Sequence, residues 1–168
     1  MHRTSKGASW KGACCAIDSY SGSPRESSPN MRVAFANPED LDYLAEEDHH
    51  IGRNVIEEKI ARREIIVAHR EDRRVGFLRY GYFWDEIPFM NLLWVRGDSR
   101  GKGYGTQLIS FWEEEMHKLG YDSVMTSTLS NERAQHLYRR LGYEDVGSLL
   151  MPEEPLEIVF LKRPHEGA

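Results

Sequence analysis

The stretch that most strongly predicts the fold is FMNLLWVRGDSRGKGYG, residues 89–105. It begins with an apolar run of strand length at 89–95 and continues with four glycines among residues 96–105. The apolar side chains that follow recur at helical spacing and predict a helix at 106–119. A strand, a glycine-rich loop and a helix in this order present backbone N–H groups at the positive end of a helix dipole. That arrangement is a binding site for an anion, most often a phosphate.

Two common phosphate-binding loops do not fit this stretch. A Walker loop has four residues between its first glycine and the Gly-Lys pair, whereas three separate the corresponding glycines here. Gly103 also stands where the Walker loop has a hydroxyl, and Thr106 stands where a dinucleotide fingerprint has its third glycine. The spacing that remains is Arg-x-x-Gly-x-Gly, formed by Arg100, Gly103 and Gly105.

The rest of the sequence predicts strands and helices on both sides of this unit. Apolar patterning predicts strands at 31–36, 64–69, 75–84, 89–95, 123–128, 143–149 and 156–161, and helices at 37–45, 52–62, 106–119 and 131–141. The first helix has a start signal in Asn37 and Pro38, an N-cap residue followed by a proline. The order βααβββαβαββ predicts an α/β fold with one mixed sheet and helices on both faces, in which residues 89–128 form a right-handed crossover.

Composition limits the classes of protein that fit. The 168 residues suit one folded domain, and 40% are hydrophobic and 29% charged, as in globular proteins. The formal net charge of −5 gives no strongly basic face, so nucleic acid is not an expected partner. No apolar run approaches the ~18 residues that a membrane span needs, so a membrane partner is not expected either.

Residues 1–30 differ from the rest of the chain. They hold seven serines and lack a helical or strand period. They carry four basic and two acidic residues, a formal net charge of +2, so residues 31–168 have a formal net charge of −7. This composition predicts a disordered N-terminal extension before a domain at 31–168, with an organelle transit peptide or a true start at Met31 as alternatives. Both cysteines, Cys14 and Cys15, lie in this segment, so we expect no disulfide framework, no thiolate metal site and a cytoplasmic location.

A second motif lies in the predicted helix at 131–141. Asn131, Ala134, Tyr138, Gly142 and Tyr143 have the spacing Asn-x-x-Ala-x-x-x-Tyr-x-x-x-Gly-Tyr. With the glycine loop and the element order, this motif resembles the GNAT superfamily of acyl-CoA-dependent N-acetyltransferases. The resemblance covers the chain from position 31 to position 161.

The resemblance implies acetyl-CoA as co-substrate. In that family the loop amides wrap the pyrophosphate of coenzyme A, and the pantetheine arm lies between two strands that splay apart. A backbone N–H near Trp94 or Val95 would then stabilise the oxyanion. The residues implied to bind acetyl-CoA are Trp94, Val95, Arg100, Gly101, Lys102, Gly103, Tyr104, Gly105, Thr106, Asn131, Ala134 and Tyr138.

Several of these residues also have a purely structural interpretation. The resemblance makes Tyr138 the catalytic general acid that protonates the departing thiolate, but its position on an apolar helix stripe also fits a core side chain. Asn131 would contact the donor or cap its helix. Lys102 would add charge to the anion site or remain a solvated loop residue.

The acceptor and the general base are the least determined features. A primary amine of a small molecule is expected, with a cationic one favoured by acids and aromatics near the predicted cleft, and a peptide or protein amine is the alternative. The acids are Glu46, Glu47, Asp48, Asp85, Glu86, Glu153 and Glu154, and the aromatics are Tyr80, Tyr82, Phe83 and Trp84. The base candidates are Glu46, Glu47, Asp48, His49, His50, Asp85 and Glu86, and a water relay is equally compatible.

No metal is expected, because the paired histidines lack a ligand set at metal-like spacing. The competing functions are an acyl-CoA-binding module without turnover and a nucleotide-binding module that uses the same loop. A monomer or a homodimer is expected, the latter if the apolar strand at 156–161 lies at a sheet edge.

Overall fold

The computed structural model describes residues 31–163, in which seven strands form one sheet. The strands are β1 (Met31–Phe35), β2 (Ile65–Arg70), β3 (Arg73–Phe83), β4 (Ile87–Val95), β5 (Val124–Leu129), β6 (Glu144–Leu149) and β7 (Glu157–Lys162). The α-helices are α1 (Leu41–Glu47), α2 (Arg53–Ala61), α3 (Tyr104–Lys118) and α4 (Ala134–Arg140), and single 3-10 turns lie at Pro38–Asp40 and Gly97–Ser99. The predicted α/β class and the order βααβββαβαββ are confirmed.

The strands lie in the order β1-β2-β3-β4-β5-β7-β6. Among these strands only β4 and β5 run parallel, and α3 connects them; every other neighbouring pair is antiparallel. This topology places the glycine loop of 96–103 at the carboxyl end of β4, between the parallel pair and the helix that joins it.

Both faces of the sheet are buried by helices. Along β2, Ile65 and Val67 pack on one face in a core that α1 and α2 cover, whereas Ile66 and Ala68 pack on the other face in a core with α3 and α4. This division follows from the alternation of side chains along a strand. We call these the α1–α2 face and the α3–α4 face.

The start of the first helical segment follows the sequence signal. The Asn37 side chain accepts a hydrogen bond from the Glu39 N–H at 2.8 Å, and the Asp40 carboxylate accepts one from the Asn37 N–H at 2.9 Å. Such a reciprocal capping box satisfies two amides that the helix leaves unpaired. Arg74 of β3 then binds the buried Asp40 carboxylate, with Nε at 2.5 Å, and joins this helix start to the sheet.

Two predictions about the C-terminal part are wrong. The helix predicted at 131–141 begins at Ala134, and its N-cap residue is Arg133 rather than Asn131. The strand predicted to lie at a sheet edge, 156–161, corresponds to β7, which lies between β5 and β6. The edge on that side is β6, all six residues of which are exposed. The reason given for a homodimer through the 156–161 strand therefore does not hold.

The predicted N-terminal extension at 1–30, with Cys14 and Cys15, lies outside the described residues. Within residues 31–163, no helix has both the length and the apolar character to cross a membrane.

Candidate active site

The parallel strands β4 and β5 lie side by side only near their beginnings. The register pairs Phe89 with Met125 and Met90 with Thr126, and β4 then continues along β3 without further β5 partners in the described chain. The buried Thr126 hydroxyl donates a hydrogen bond to the Met90 carbonyl at 3.1 Å. The predicted splayed strand pair is therefore present. We call the point where the strands separate, at Met90 and Thr126, the fork.

A β-bulge lies immediately beyond the fork. The β3–β4 register passes from Tyr80 opposite Met90 to Arg79 opposite Leu92, so Asn91 is an extra residue on β4. A bulge bends its strand and increases the local twist. The position of Asn91 therefore gives a physical reason for the departure of β4 from β5.

The backbone of β4 beyond the bulge presents polar groups to the gap. The Arg96 N–H donates to the Val75 carbonyl of β3 at 2.9 Å. Alternate residues of an antiparallel strand direct their N–H groups to opposite sides. The Val95 N–H therefore points away from β3, toward the gap, whereas the Trp94 N–H points to β3. Of the two amides expected to stabilise an oxyanion, Val95 has the suitable direction.

The glycines of the loop are needed for its backbone conformation. Gly101 and Gly103 have φ angles of +70° and +88°, in the left-handed region that disfavours a side chain. At both positions the space that a Cβ would occupy is open, with no atom within 4 Å. The loop surface above these glycines is therefore free for a ligand to approach the backbone.

The N terminus of α3 is a second source of backbone donors. Its N-cap is Gly103, which has no side chain to cap the helix, and the Gln107 N–H makes the bond to the Gly103 carbonyl at 3.1 Å. The N–H groups of Tyr104, Gly105 and Thr106 precede this bond, so none of them has an acceptor within the helix. Together with the helix dipole, these amides favour an anion.

Two of the three basic side chains of the loop, Arg100 and Lys102, bind the loop itself. The Arg100 Nε donates to the Val95 carbonyl at 3.1 Å, and the Lys102 Nζ donates to the Asp98 carbonyl at 2.7 Å. Asp98 also forms a 2.8 Å ion pair with Arg73 of β3. Both side chains therefore stabilise the loop and add positive charge beside the amides.

Some predicted acetyl-CoA-binding residues have side chains that belong to the cores. Tyr104 and Ala134 are buried on the α3–α4 face, together with Val95. The Trp94 ring packs on the α1–α2 face, with its centroid 5.6 Å from the Phe77 ring. Tyr104, Ala134 and Val95 therefore offer mainly backbone groups to a ligand, whereas the Trp94 ring is only partly buried.

Tyr138 is fully buried on the α3–α4 face, in the same core as Met90 of the fork. Its ring centroid lies 5.7 Å from that of Tyr143 and 5.6 Å from that of Phe160. Phe160 is the β7 partner of Thr126, so the ring of Tyr138 packs beside the fork. The core interpretation of Tyr138 is correct for its ring, and its hydroxyl remains a candidate for the chemistry.

Asn131 is exposed in the turn between β5 and α4. Because the N-cap of α4 is Arg133 and no side chain caps this helix, the predicted capping role of Asn131 is wrong. Its contact with the donor stays a prediction.

Sequence comparison assigns the chain to a family. Residues 61–145, just over half of the chain, match the sequence profile described as "Acetyltransferase (GNAT) domain". The chain belongs to the GNAT acetyltransferase family. As the resemblance implied, it is an acetyl-CoA-dependent N-acetyltransferase with acetyl-CoA as co-substrate.

Solved GNAT structures have the same fold. A GNAT-family acetyltransferase from Bacillus cereus is 25% identical, with a TM-score of 0.65 over 79% of this chain and 96% of that chain. The Salmonella typhimurium protein yncA, solved with its cofactor acetyl-CoA, is 17% identical, with a TM-score of 0.68 over 83% and 96%. An aminoglycoside 6'-N-acetyltransferase solved with coenzyme A is 21% identical, with a TM-score of 0.66 over 79% and 96%.

The acids expected around the acceptor of this GNAT domain have different surroundings. Glu47 binds Arg96 at 3.2 Å, and the buried Asp48 binds Arg79 at 2.7 Å. These two carboxylates are neutralised by arginines and hold α1 to the sheet. The negative charge of Glu154 instead raises the pKa of another carboxyl group, that of Glu157 of β7.

The aromatics expected at the acceptor side are also divided. Tyr80 packs against Trp112 of α3, with ring centroids 5.9 Å apart, and Tyr82 packs against Tyr121, at 5.7 Å. Because side chains alternate along β3, Phe83 lies on the opposite face, where it stacks on Phe89 at 5.9 Å. Only part of the predicted aromatic rim therefore shares a face of the sheet.

Two polar residues beside the gap were missed by sequence reasoning as acid–base or acceptor-side groups. Ser127 follows the fork on β5, and Glu157 begins β7. Burial raises the pKa of the Glu157 carboxyl, a hydrogen bond with Ser127 opposes this, and the carboxylates of Glu132 and Glu154 add to the rise. A glutamate at the start of a strand looks like a solvated strand end in sequence, and only the strand order reveals its neighbours.

No group of three or more His, Cys, Asp and Glu side chains within residues 31–163 is arranged to hold a metal ion.

Proposed function

We propose that this GNAT enzyme acetylates the primary amine of a small molecule by direct attack on acetyl-CoA, with Tyr138 as the general acid. The observation that carries the proposal is the fork, where β4 and β5 separate beside the ring of Tyr138. A gap between two parallel strands leaves the backbone edge of β4 available to an extended ligand.

The residues that would hold acetyl-CoA are suited to its parts. The amides of Tyr104, Gly105 and Thr106, with the open backbone at Gly101 and Gly103, suit a pyrophosphate. The β4 edge that ends at Val95 suits the amide-containing pantetheine arm. Acetyl-CoA supplies an activated acetyl thioester, and the protein supplies position, hydrogen bonds and proton transfer.

Tyr138 and Val95 take the two roles that acyl transfer needs at the fork. The Val95 N–H, directed into the gap, would donate to the carbonyl oxygen as negative charge develops on it. The Tyr138 hydroxyl would donate its proton to the sulfur as the thiolate leaves. A general acid in this role contributes about 10²–10⁴-fold to the rate.

A cationic small amine suits the α1–α2 face at the fork. Phe83 and Phe89 stack on this face before the fork, and Glu157, with Glu154 acting on it, lies beyond the fork, opposite Leu129 of β5. Trp84, which packs on Phe83, is 77% exposed. Carboxylates and aromatic faces both attract an ammonium group.

The experiment is continuous measurement of thiol release from acetyl-CoA across a panel of aminoglycosides, polyamines, amino acids and short peptides. We expect a small cationic amine to give the highest rate above background. Preference for peptides would move the acceptor to peptide or protein amines. If no amine of the panel gives thiol release above background but acetyl-CoA still stabilises the protein, the result would favour a binding module without turnover.

Tyr138→Phe tests the proposed acid. We expect kcat to fall about 10²–10⁴-fold because the ring stays packed while the proton donor is lost. Tyr143→Phe is the matched control, since it removes a buried hydroxyl that binds Glu113 at 2.7 Å in the same core. A loss under about tenfold in Tyr138→Phe would argue against the general-acid role.

A further inference from the structure

Glu157 differs from every other buried carboxylate in residues 31–163. Four acids are buried there: Asp40, Asp48, Glu64 and Glu157. Three are ion-paired at 2.5–2.7 Å: Asp40 with Arg74, Asp48 with Arg79 and Glu64 with Lys59. Glu157 is 7% exposed, and the charged groups that act on it are the carboxylates of Glu132 and Glu154. A fold does not need a buried acid among like charges, so this position calls for another explanation.

Glu157 lies beside the gap that opens beyond the fork, opposite Leu129 of β5. Its diagonal neighbour on the same face is Ser127, the residue directly after Thr126, and a side-chain hydrogen bond from Ser127 lowers the pKa of the Glu157 carboxyl. Thr126 is the last β5 residue that pairs with β4, so Ser127 is the first on the wall of the gap. Neighbouring strands are about 4.8 Å apart, which places the carboxylate within about one strand spacing of the gap.

Glu157 and Tyr138 lie on opposite faces of the sheet. The β7 partner of Thr126 is Phe160, which packs with Tyr138 on the α3–α4 face. Side chains alternate along a strand, so Ser127 and its diagonal neighbour Glu157 lie on the α1–α2 face. This is the face proposed for the acceptor. A base on one side of the gap and an acid on the other suit an amine that arrives from one face and a thiolate that leaves toward the other.

We propose that Glu157 is the general base that removes a proton from the acceptor ammonium. This inference rests on the proposed function. The Glu157 carboxylate accepts one ammonium proton, which frees the nitrogen lone pair. The lone pair forms the C–N bond to the thioester carbonyl carbon, and the C–S bond breaks. The departing sulfur takes the Tyr138 proton, the second nitrogen proton restores the Tyr138 hydroxyl, and the proton on Glu157 passes to solvent.

The surroundings of Glu157 suit this role. Burial and the neighbouring carboxylates of Glu132 and Glu154 raise its pKa, which makes it a stronger base than an exposed glutamate. The same negative groups attract the ammonium of the acceptor. The Ser127 hydroxyl opposes the rise in pKa, and its hydrogen bond orients the carboxylate.

The kinetic test is Glu157→Gln, which keeps the size and the hydrogen-bonding capacity of the side chain but cannot take a proton. We expect kcat/KM with the best acceptor to fall about 10²-fold or more at neutral pH. The loss should shrink as the pH approaches the pKa of the acceptor amine, because solution then supplies the free amine. Stabilisation by acetyl-CoA should be unchanged. Glu144→Gln, at an exposed position on β6, should match the wild type.

Two outcomes would overturn the inference. One is a Glu157→Gln enzyme within about threefold of the wild type at neutral pH. The other is a loss of the same size at every pH, which would indicate a structural role. Tyr138→Phe should lose activity across the whole pH range, so the two variants separate failure of the base from failure of the acid.

A titration without acceptor tests Glu157 independently of activity. Carbon-13 NMR of the glutamate carboxyls, assigned with Glu157→Gln, should show that the pKa of Glu157 lies above the ordinary value for a glutamate. Titration of Glu157 at or below that ordinary value would contradict the inference even if the panel gave activity. Absence of thiol release with every amine would count against the proposed function instead.

Discussion

At the scale of single residues, two glycines of the loop differ in what they require. Gly103 has φ of +88°, whereas the backbone at Gly97 is one that any residue adopts, and neither has an atom where a Cβ would lie. We expect Gly103→Ala to lower the free energy of unfolding by about 1–2 kcal/mol, because an L-residue is strained in that conformation. The affinity of this variant for acetyl-CoA should fall as well, because a changed backbone conformation at residue 103 reorients the amides of the loop.

Gly97→Ala is the control for this change, with an expected effect on stability within about 0.5 kcal/mol. Urea denaturation of both variants measures the difference. Equal effects at the two positions would mean that the conformation of Gly103 is not what requires a glycine.

Single residues also show what sequence reasoning can reach. The loop around Gly103 could be predicted because its chemistry depends on local backbone conformation, which spacing along the chain records. The ring of Tyr138 could be placed on an apolar stripe for the same reason. Glu157 could not be found, because strand pairing, and not the local sequence, brings Ser127 of β5 to it and buries it.

At the scale of elements, the connection between α1 and α2 depends on one buried ion pair. Asp48 and Arg79 have side chains 1% and 8% exposed and lie 2.7 Å apart. Asp48→Asn should lower the free energy of unfolding by about 3–5 kcal/mol, because Arg79 keeps a buried charge without its partner.

The matched control is Asp42→Asn, whose partner Arg53 lies at a similar distance, 2.6 Å, but on the surface. It should cost about 0–1 kcal/mol. Chemical denaturation checks both variants, and similar losses would show that burial does not set the strength of these pairs.

Most elements could be predicted from local patterns, and the errors have physical causes. The N-cap residue Asn37 and the proline that follows it are local signals, and they identified this helix start correctly. Asn131 is an equally good cap residue by type, but the chain makes a turn first, so α4 begins at Ala134. The interior place of β7 could not be predicted, because apolar periodicity does not report which strands become neighbours.

At the scale of the whole molecule, acetyl-CoA should stabilise the fold by binding the native state alone. At about a hundredfold excess over Kd, the gain is about 2.7 kcal/mol, which corresponds to a rise in Tm of about 5–10 °C. Thermal unfolding with acetyl-CoA, coenzyme A and ATP measures it. A larger shift with ATP would contradict the assignment of the loop to a coenzyme A pyrophosphate.

Glu157 also has a consequence for attempts to engineer this enzyme. Its raised pKa means that the native state holds the neutral carboxyl more readily than the unfolded chain does. Its contribution to stability is therefore largest at low pH and is lost as the pH rises from the unfolded to the native pKa. Burial among other carboxylates disfavours the charged form of Glu157 in the native state, and a neutral glutamine does not carry this penalty. A laboratory selection for thermostability alone would accordingly enrich Glu157→Gln and collect inactive proteins, so such a selection needs a screen for turnover beside it.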